Sequence, residues 1–340
     1  MNLLLTASGC PGASTLIKYL RKAYNGNIRI IGTDSLDNVI GRILCDKFYV
    51  IPQASKNEDF INRLKDIVLK EKIEAILPQS TIETFILSKN LNEFSDLNVI
   101  TLVSDYKELK IARNKYKLYE KLRGKIPLPK YYLANSKKDF NKAVYDLGYP
   151  DKTICFKPPI GEGSRGFRII SPTVNRKDML LNQKPNSKYI TLEEINEIFN
   201  DENFPQLLVM EFINFDEYDA MTLCIDGEAL LTTVKTRERE RNGVITYGEL
   251  IDKPDIINKV QRIIKEIPLK YSIGIQFIGD YLIEINPRVS TFIYQDNLIE
   301  PYYAIEFAMG NISKSDIRKL NKKIKYGRKM IRYMDQIFFE

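Results

Sequence analysis

Histidine is absent from this 340-residue chain. That absence excludes serine–histidine and cysteine–histidine nucleophilic catalysis and leaves acid–base work to carboxylates, lysine, tyrosine or the substrates themselves. A zinc site would need all-cysteine or carboxylate ligation. The four cysteines, Cys10, Cys45, Cys155 and Cys224, are not spaced for it, and none forms a C-x-x-C pair. Cys155 and Cys224 lie in apolar, strand-like runs and read as buried, reduced thiols of a reducing compartment. Also missing is any run near the ~20 apolar residues that span a bilayer. The start, MNLLLTASGCPG, lacks the basic region that opens a signal peptide. A cytoplasmic location is the expectation.

What is present describes an ordinary globular protein: 44% apolar and 28% charged residues. The length suits two or three domains with a sizeable core. The formal net charge is +7, and much of the excess lies in residues 314–332. Isoleucines and aromatics interrupt that basic run. It reads as a solvated helix or edge strand rather than a nucleic-acid patch, so neither nucleic acid nor membrane is an expected partner. A homodimer is compatible with the sequence, which does not set the oligomeric state.

Along the first hundred residues, apolar strands alternate with helical periodicity: strands at 2–7, 28–34, 48–51, 75–78 and 99–101, helices at 14–23 and 59–72. That order predicts an α/β, doubly wound parallel sheet. The turn Gly9-Cys-Pro-Gly12 after the first strand, with Asp34 ending the second, superficially suits a dinucleotide. The spacing is G-x-x-G, however, not G-x-G-x-x-G, and the simpler reading is that glycine lets the first helix start close to the sheet. A helical segment over 103–130 ends at Pro127 and Pro129, after which short strands and hairpins take over. Residues 171–203 are polar, poorly periodic and expected at the surface.

Three constellations carry chemistry. In Lys157-Pro-Pro-Ile-Gly161-Glu-Gly163-Ser164-Arg165-Gly166, a lysine ends a strand and a Gly/Ser loop follows. Such a lysine supplies a point charge for phosphate oxygens and the loop supplies peptide N–H groups; no G-K-[ST] closes it, so it is not a Walker A loop. In Leu-Leu-Val-Met-Glu211-Phe212-Ile213-Asn-Phe-Asp-Glu217, an apolar strand delivers one carboxylate and a second follows six residues on, before a strand at 220–225. A glutamate can accept from a ribose diol, and the Ile213 backbone could read an adenine edge. In Gln276-Phe-Ile-Gly-Asp-Tyr-Leu-Ile-Glu284-Ile-Asn286-Pro-Arg288, two strands turn at Gly279-Asp280. Glu284 and Asn286 are two apart and face one side, where Gln276 can join them. Three hard oxygen donors within an apolar hairpin suit Mg²⁺ shared with phosphates. A carboxylate buried there without a partner would be costly.

Taken in this order, the three motifs resemble the ATP-grasp superfamily, in particular the branch similar to the carbamoyl-phosphate synthase large subunit and the carboxylate–amine ligases. The resemblance implies an N-terminal Rossmann-like pre-ATP-grasp domain (1–108), a small lid lobe with a linker helix (109–205) and a large C-terminal lobe (206–340). It implies ATP and Mg²⁺ as cofactors, with Mn²⁺ a chemical substitute. Lys115 and Lys157 would contact nucleotide phosphates under a flap containing Gly161, Gly163, Ser164, Arg165 and Gly166. Glu211, Phe212 and Ile213 would hold adenine, and Glu217 the ribose. Gln276, Glu284 and Asn286 would hold the metal. Arg288, with Lys235 and Arg237, would stabilise phosphoryl and acyl-phosphate groups. Gln276 stands where an acidic residue is common, as it also does in the carbamoyl-phosphate synthase branch. The chain ends too soon after the grasp for the biotin-carboxylase or synthase extensions, which argues against those two reactions.

The resemblance therefore implies an ATP-dependent ligase that activates a small carboxylate, such as an amino acid, as an acyl phosphate for attack by an amine or thiol. The alternatives are phosphorylation of a small molecule without ligation, and an ATP-binding regulatory protein without turnover.

Overall fold

The computed structural model describes residues 1–161, 163–183, 188–199, 202–241, 243–289, 294–295 and 298–339. They divide into two compact units, one of residues 1–112, 217–277 and 284–340, the other of 113–216 and 278–283.

In the first unit, β1 (Asn2–Thr6), β2 (Arg29–Asp34), β3 (Lys47–Val50), β4 (Ala75–Pro78) and β5 (Ile100–Thr101) form a parallel sheet in the order β3-β2-β1-β4-β5. Leu3 and Leu5 point into one core layer and Leu4 into the other. Both faces of β1 are covered, so the strand is a continuous apolar run rather than an alternating one. Helix Ala13–Ala23 buries Ala13, Leu16, Ile17 and Leu20. Helix Asn57–Glu71 buries Phe60, Ile61, Leu64, Ile67 and Val68. These are the three- and four-residue spacings that give a helix one apolar stripe.

The Gly9 turn shows why glycine stands there. Its N–H donates to Asp34 Oδ2 at 2.9 Å. A Cβ on Gly9 would lie 2.7 Å from Val39 Cγ1 and 2.9 Å from Asp34 Oδ2. Asp34 thus ties the turn to the end of β2, which accounts for both residues without a dinucleotide. Behind this edge, Thr6 Oγ1 donates to Glu83 Oε2 at 2.6 Å, and burial pushes the Glu83 carboxyl up to about 7.

The second unit holds β6 (Tyr131–Ala134), β7 (Ile154–Lys157), β8 (Arg168–Ile170) and β9 (Leu207–Glu211), antiparallel in the order β6-β9-β7-β8. Helix Lys137–Asp146 is capped by Ser136, whose hydroxyl accepts the Asp139 N–H. It packs Phe140, Ala143 and Val144 with Phe156 and Val209. The expected polar excursion at 171–203 needs correcting. It contains helix Leu192–Ile198, opened by a Thr191/Glu194 capping box, and Leu192 and Ile195 join the core. Residues 184–187 and 200–201 of that stretch lie outside the described ones.

The chain returns to the first unit at residue 217, and β10 (Glu217–Ile225), β11 (Glu228–Thr236), β12 (Arg239–Arg241), β13 (Val244–Ile251), β14 (Tyr271–Ile278), β15 (Tyr281–Asn286) and β16 (Lys329–Ile331) follow, with residues 278–283 counted in the second unit. The sheet order is β12-β13-β11-β10-β14-β15, with β16 added on β13. β10 starts three residues before the expected strand, so Glu217 is a strand residue rather than part of the turn. The basic segment forms helix Lys314–Lys319, a short 3₁₀ turn and edge strand β16, with Ile317 and Leu320 buried. Ser272 reaches both oxygens of Glu300, at 2.9 and 3.0 Å, and burial pushes this carboxyl up to about 8. Cys155 and Cys224 are buried free thiols, as expected. No helix among the described residues is long and apolar enough to cross a membrane.

Candidate functional site

Within the second unit, β7 delivers Lys157 at its last residue, and its ammonium donates to the Ile283 carbonyl at 3.5 Å. Lys115 opens helix Lys115–Leu122, whose N-cap Asn114 accepts the Lys117 N–H. Its ammonium donates to the Gly161 carbonyl at 3.0 Å, so one of the two expected phosphate lysines already holds the root of the flap. Both lysines are buried. The flap is exposed from Gly163 to Arg165, with left-handed backbone at Gly163, Ser164 and Gly166. Glu162, inside the expected flap, lies outside the described residues. Gly166 has φ +76°, and a Cβ there would lie 2.6 Å from Pro158 Cδ, so the return of the flap onto Pro158 requires glycine.

Glu211 ends β9 half-buried, and its Oε1 accepts the Lys130 N–H at 2.7 Å. That bond ties the carboxylate to the backbone at Lys130. Ile213 enters no hydrogen bond among the described residues, which leaves its backbone able to pair with a ligand.

Within the first unit, Gln276, Glu284 and Asn286 are half-buried and alternate with buried Ile275, Phe277 and Ile285. They share the polar face of β14 and β15. Asn286 Nδ2 lies 3.3 Å from Glu284 Oε1. With its amide oriented to satisfy its neighbours, Gln276 donates to the same Oε1 at 3.2 Å and accepts from Arg237 Nη1 at 3.2 Å. The three residues come together as the sequence predicts, although Glu284 is half-buried rather than enclosed. Their oxygens are hard donors of the kind Mg²⁺ takes, and the amides can turn their carbonyl oxygens toward a cation. Among the described residues no group of three or more His, Cys, Asp or Glu side chains is placed to hold a metal.

Arg288 follows β15. Its Nε donates to Thr81 Oγ1 and its Nη1 to the Val289 carbonyl, both at 3.0 Å. Arg237 Nε donates to Glu217 Oε2 at 3.2 Å and its Nη2 to Glu240 Oε2 at 3.0 Å, so two residues given separate roles in the sequence are joined to each other. Lys235 is 1% exposed, with its ammonium 3.1 Å from Asp219 Oδ2. Burial pulls that ammonium below the usual lysine range, and Asp219 opposes the pull. Sequence reasoning gave no role to Asp219 or Thr81. Asp219 had a signal: it lies two residues from Glu217 on the same strand face and pairs with Lys235 across β10 and β11. Thr81 had none, because its partner is remote in sequence.

Two family models match the chain: a PylC-like N-terminal domain over residues 3–103, and an ATP-grasp of a biosynthetic pathway associated with the Ter operon over residues 203–328. Among solved structures, biotin carboxylase from Campylobacter jejuni, in complex with β,γ-ATP, aligns with a TM-score of 0.67 at 15% identity, covering 96% of this chain and 74% of that one. N5-carboxyaminoimidazole synthetase from Staphylococcus aureus, complexed with ADP, aligns at 0.61 with 14% identity, covering 94% and 76%. An L-amino acid ligase from Bacillus licheniformis aligns at 0.57 with 14% identity, covering 85% and 67%. At such identities these structures share the fold. No curated protein sequence matches at a significant level.

Proposed function

With residues 203–328 matching an ATP-grasp family model, we propose that the chain is an ATP-grasp enzyme, an ATP-dependent ligase joining a small carboxylate to an amine or thiol through an acyl phosphate. The observation that carries this is the polar face of Gln276, Glu284 and Asn286 followed by Arg288, a metal-ready set beside a cation. Structural neighbours crystallised with ADP and with magnesium ADP support the nucleotide and the ion.

Lys115, Lys157 and the flap residues Gly161, Gly163, Ser164, Arg165 and Gly166 take the phosphates. Glu211, Phe212 and Ile213 take the adenine, and Glu217 the ribose. When bound by Gln276, Glu284 and Asn286, Mg²⁺ neutralises phosphate charge. A carboxylate oxygen then attacks the γ-phosphorus, and the bond to the bridging oxygen breaks with its electron pair leaving on ADP. The amine or thiol attacks the acyl carbon, phosphate departs, and the nucleophile's proton passes to solvent or phosphate. Arg288 and Arg237 offset the charge that develops. Lys235 acts from within, holding Asp219 on the strand that carries Glu217. None of these steps needs a histidine.

The test is a panel of amino acids and other carboxylates, each assayed with MgATP for ADP, free phosphate and, with added hydroxylamine, hydroxamate. ADP and phosphate released in equal amounts, with hydroxamate trapped, is the expected result. ADP without free phosphate would instead identify a phosphotransferase. A thermal shift with MgATP but no turnover would identify a regulatory binder, and a shift with NAD alone would remove the ATP reading altogether.

A further inference from the structure

Beside the Gly9–Gly12 turn, in the first unit, opens a cavity of about 1070 Å³. One wall is that turn with the start of helix Ala13–Ala23, including Thr15 and Lys18. A second comes from residues 38–44, among them Ile40. The third is the segment 330–339. This third wall lies outside both family matches, which end at residues 103 and 328.

The segment is fastened at its start. β16 is paired antiparallel with β13, and the next residue, Arg332, donates to the Pro11 carbonyl and, at 3.3 Å, to the Ile245 carbonyl. Beyond that clamp the chain holds apolar side chains at the cavity but leaves them open to water: Tyr333 is 77% exposed, Ile337 46% and Phe339 58%. Clustered apolar groups around a concave, uncovered surface mark a ligand site more often than a solvated one. The charged side chains on the lining are Lys18, Arg21, Arg332 and a single carboxylate, Asp335. Arg21 is paired with Asp46, whereas exposed Lys18 has no carboxylate partner among the described residues.

We propose that this cavity binds a small anion with an aliphatic or aromatic body, its charge met by Lys18, and that the segment 330–339 determines which bodies enter. That the anion is the carboxylate substrate of ligation rests on the function proposed above; its binding here does not.

Thermal unfolding of the full chain with acetate, hexanoate, phenylpropionate or phenyl phosphate, at fixed ionic strength, tests it. Hexanoate, phenylpropionate or phenyl phosphate should raise the Tm well beyond acetate. The shift should vanish in Ile337→Asp, and in Lys18→Glu the apparent affinity should fall about tenfold, the scale of one lost ionic contact. Both variants should keep the MgATP shift, since neither residue belongs to the nucleotide set. No shift from any of the four anions, or equal shifts in wild type and both variants, overturns the proposal. A shift that depends on Ile337 and Lys18, in a protein that forms no ADP with any carboxylate, sinks the ligase reading and upholds the cavity.

Discussion

The Arg288 guanidinium donates to the hydroxyl of Thr81 at 3.0 Å across 207 residues of chain. Thr81 is the first residue of helix Thr81–Lys89, directly beyond the carboxyl end of β4. The arginine expected to meet the acyl phosphate is thus aimed by a residue of the parallel-sheet domain.

Thr81→Val keeps the shape and removes that acceptor. The expected outcome is a fall in kcat of roughly tenfold, the scale of one lost hydrogen bond to a charged group, with the KM for ATP unchanged. A purely structural threonine would instead lower the Tm and leave kcat alone. Steady-state kinetics and a melt on this variant separate the two.

Glu284→Gln removes the one formal charge of the Gln276/Glu284/Asn286 set. ADP release should fall by at least about two orders of magnitude, because metal-assisted charge stabilisation is worth several kcal/mol. The fold should survive, since Glu284 is half-buried and a glutamine can still bond to Asn286 and Gln276. Turnover near the wild-type rate would end its assignment to the metal.

Lys235 and Asp219 should behave as a unit. Lys235→Met takes the ammonium from a buried carboxylate, and Asp219→Asn takes the carboxylate from a buried ammonium. Each is expected to cost about 3–5 kcal/mol in denaturant unfolding. Replacing both, as Lys235→Met with Asp219→Leu, should cost clearly less than the two single changes added together. Simple additivity would show that the pair is not coupled.

Glu300 and Glu83 give stability a pH dependence of definite sign. Both carboxyls are raised by burial, to about 8 and about 7, so the folded chain holds protons that the unfolded chain has released. Their contribution is intact below the ordinary carboxylate range and declines as pH rises from there toward 8, at up to about 1.4 kcal/mol per pH unit per group. Glu300→Gln should flatten the upper part of that decline. Urea midpoints from pH 5 to 8 for wild type and variant provide the check, and parallel curves would remove Glu300 as the cause.

The parallel sheet was legible because period and punctuation agree there: apolar runs, helical stripes and a glycine turn all point to one topology. The metal face was legible because strand alternation fixes which of Gln276, Glu284 and Asn286 share a side. The helix Leu192–Ile198 was missed although its T-x-x-E signature was present, because a polar setting hid a short apolar stripe. The pairing of Arg237 with Glu217, and the burial of Lys235 on Asp219, depend on the register between β10 and β11, which shifts between Leu223 and Cys224 and so cannot be counted back from the Asp226-Gly227 turn. The Arg288–Thr81 bond depends on tertiary closure and leaves no trace in either segment.

The core of the first unit mixes the two ends of the chain: Leu3, Leu5, Leu16 and Ile30 share a cluster with Val289, Ile305, Ile317 and Leu320. During synthesis the first strand emerges some three hundred residues before its last packing partners. Residues 134–209, by contrast, supply the whole of the cluster around Phe140 from one continuous stretch. A nascent chain stalled before residue 289 would hold Leu3, Leu5 and Ile30 under the helix Ala13–Ala23 without Val289, Ile305, Ile317 and Leu320, and should be cut by protease faster than the full chain.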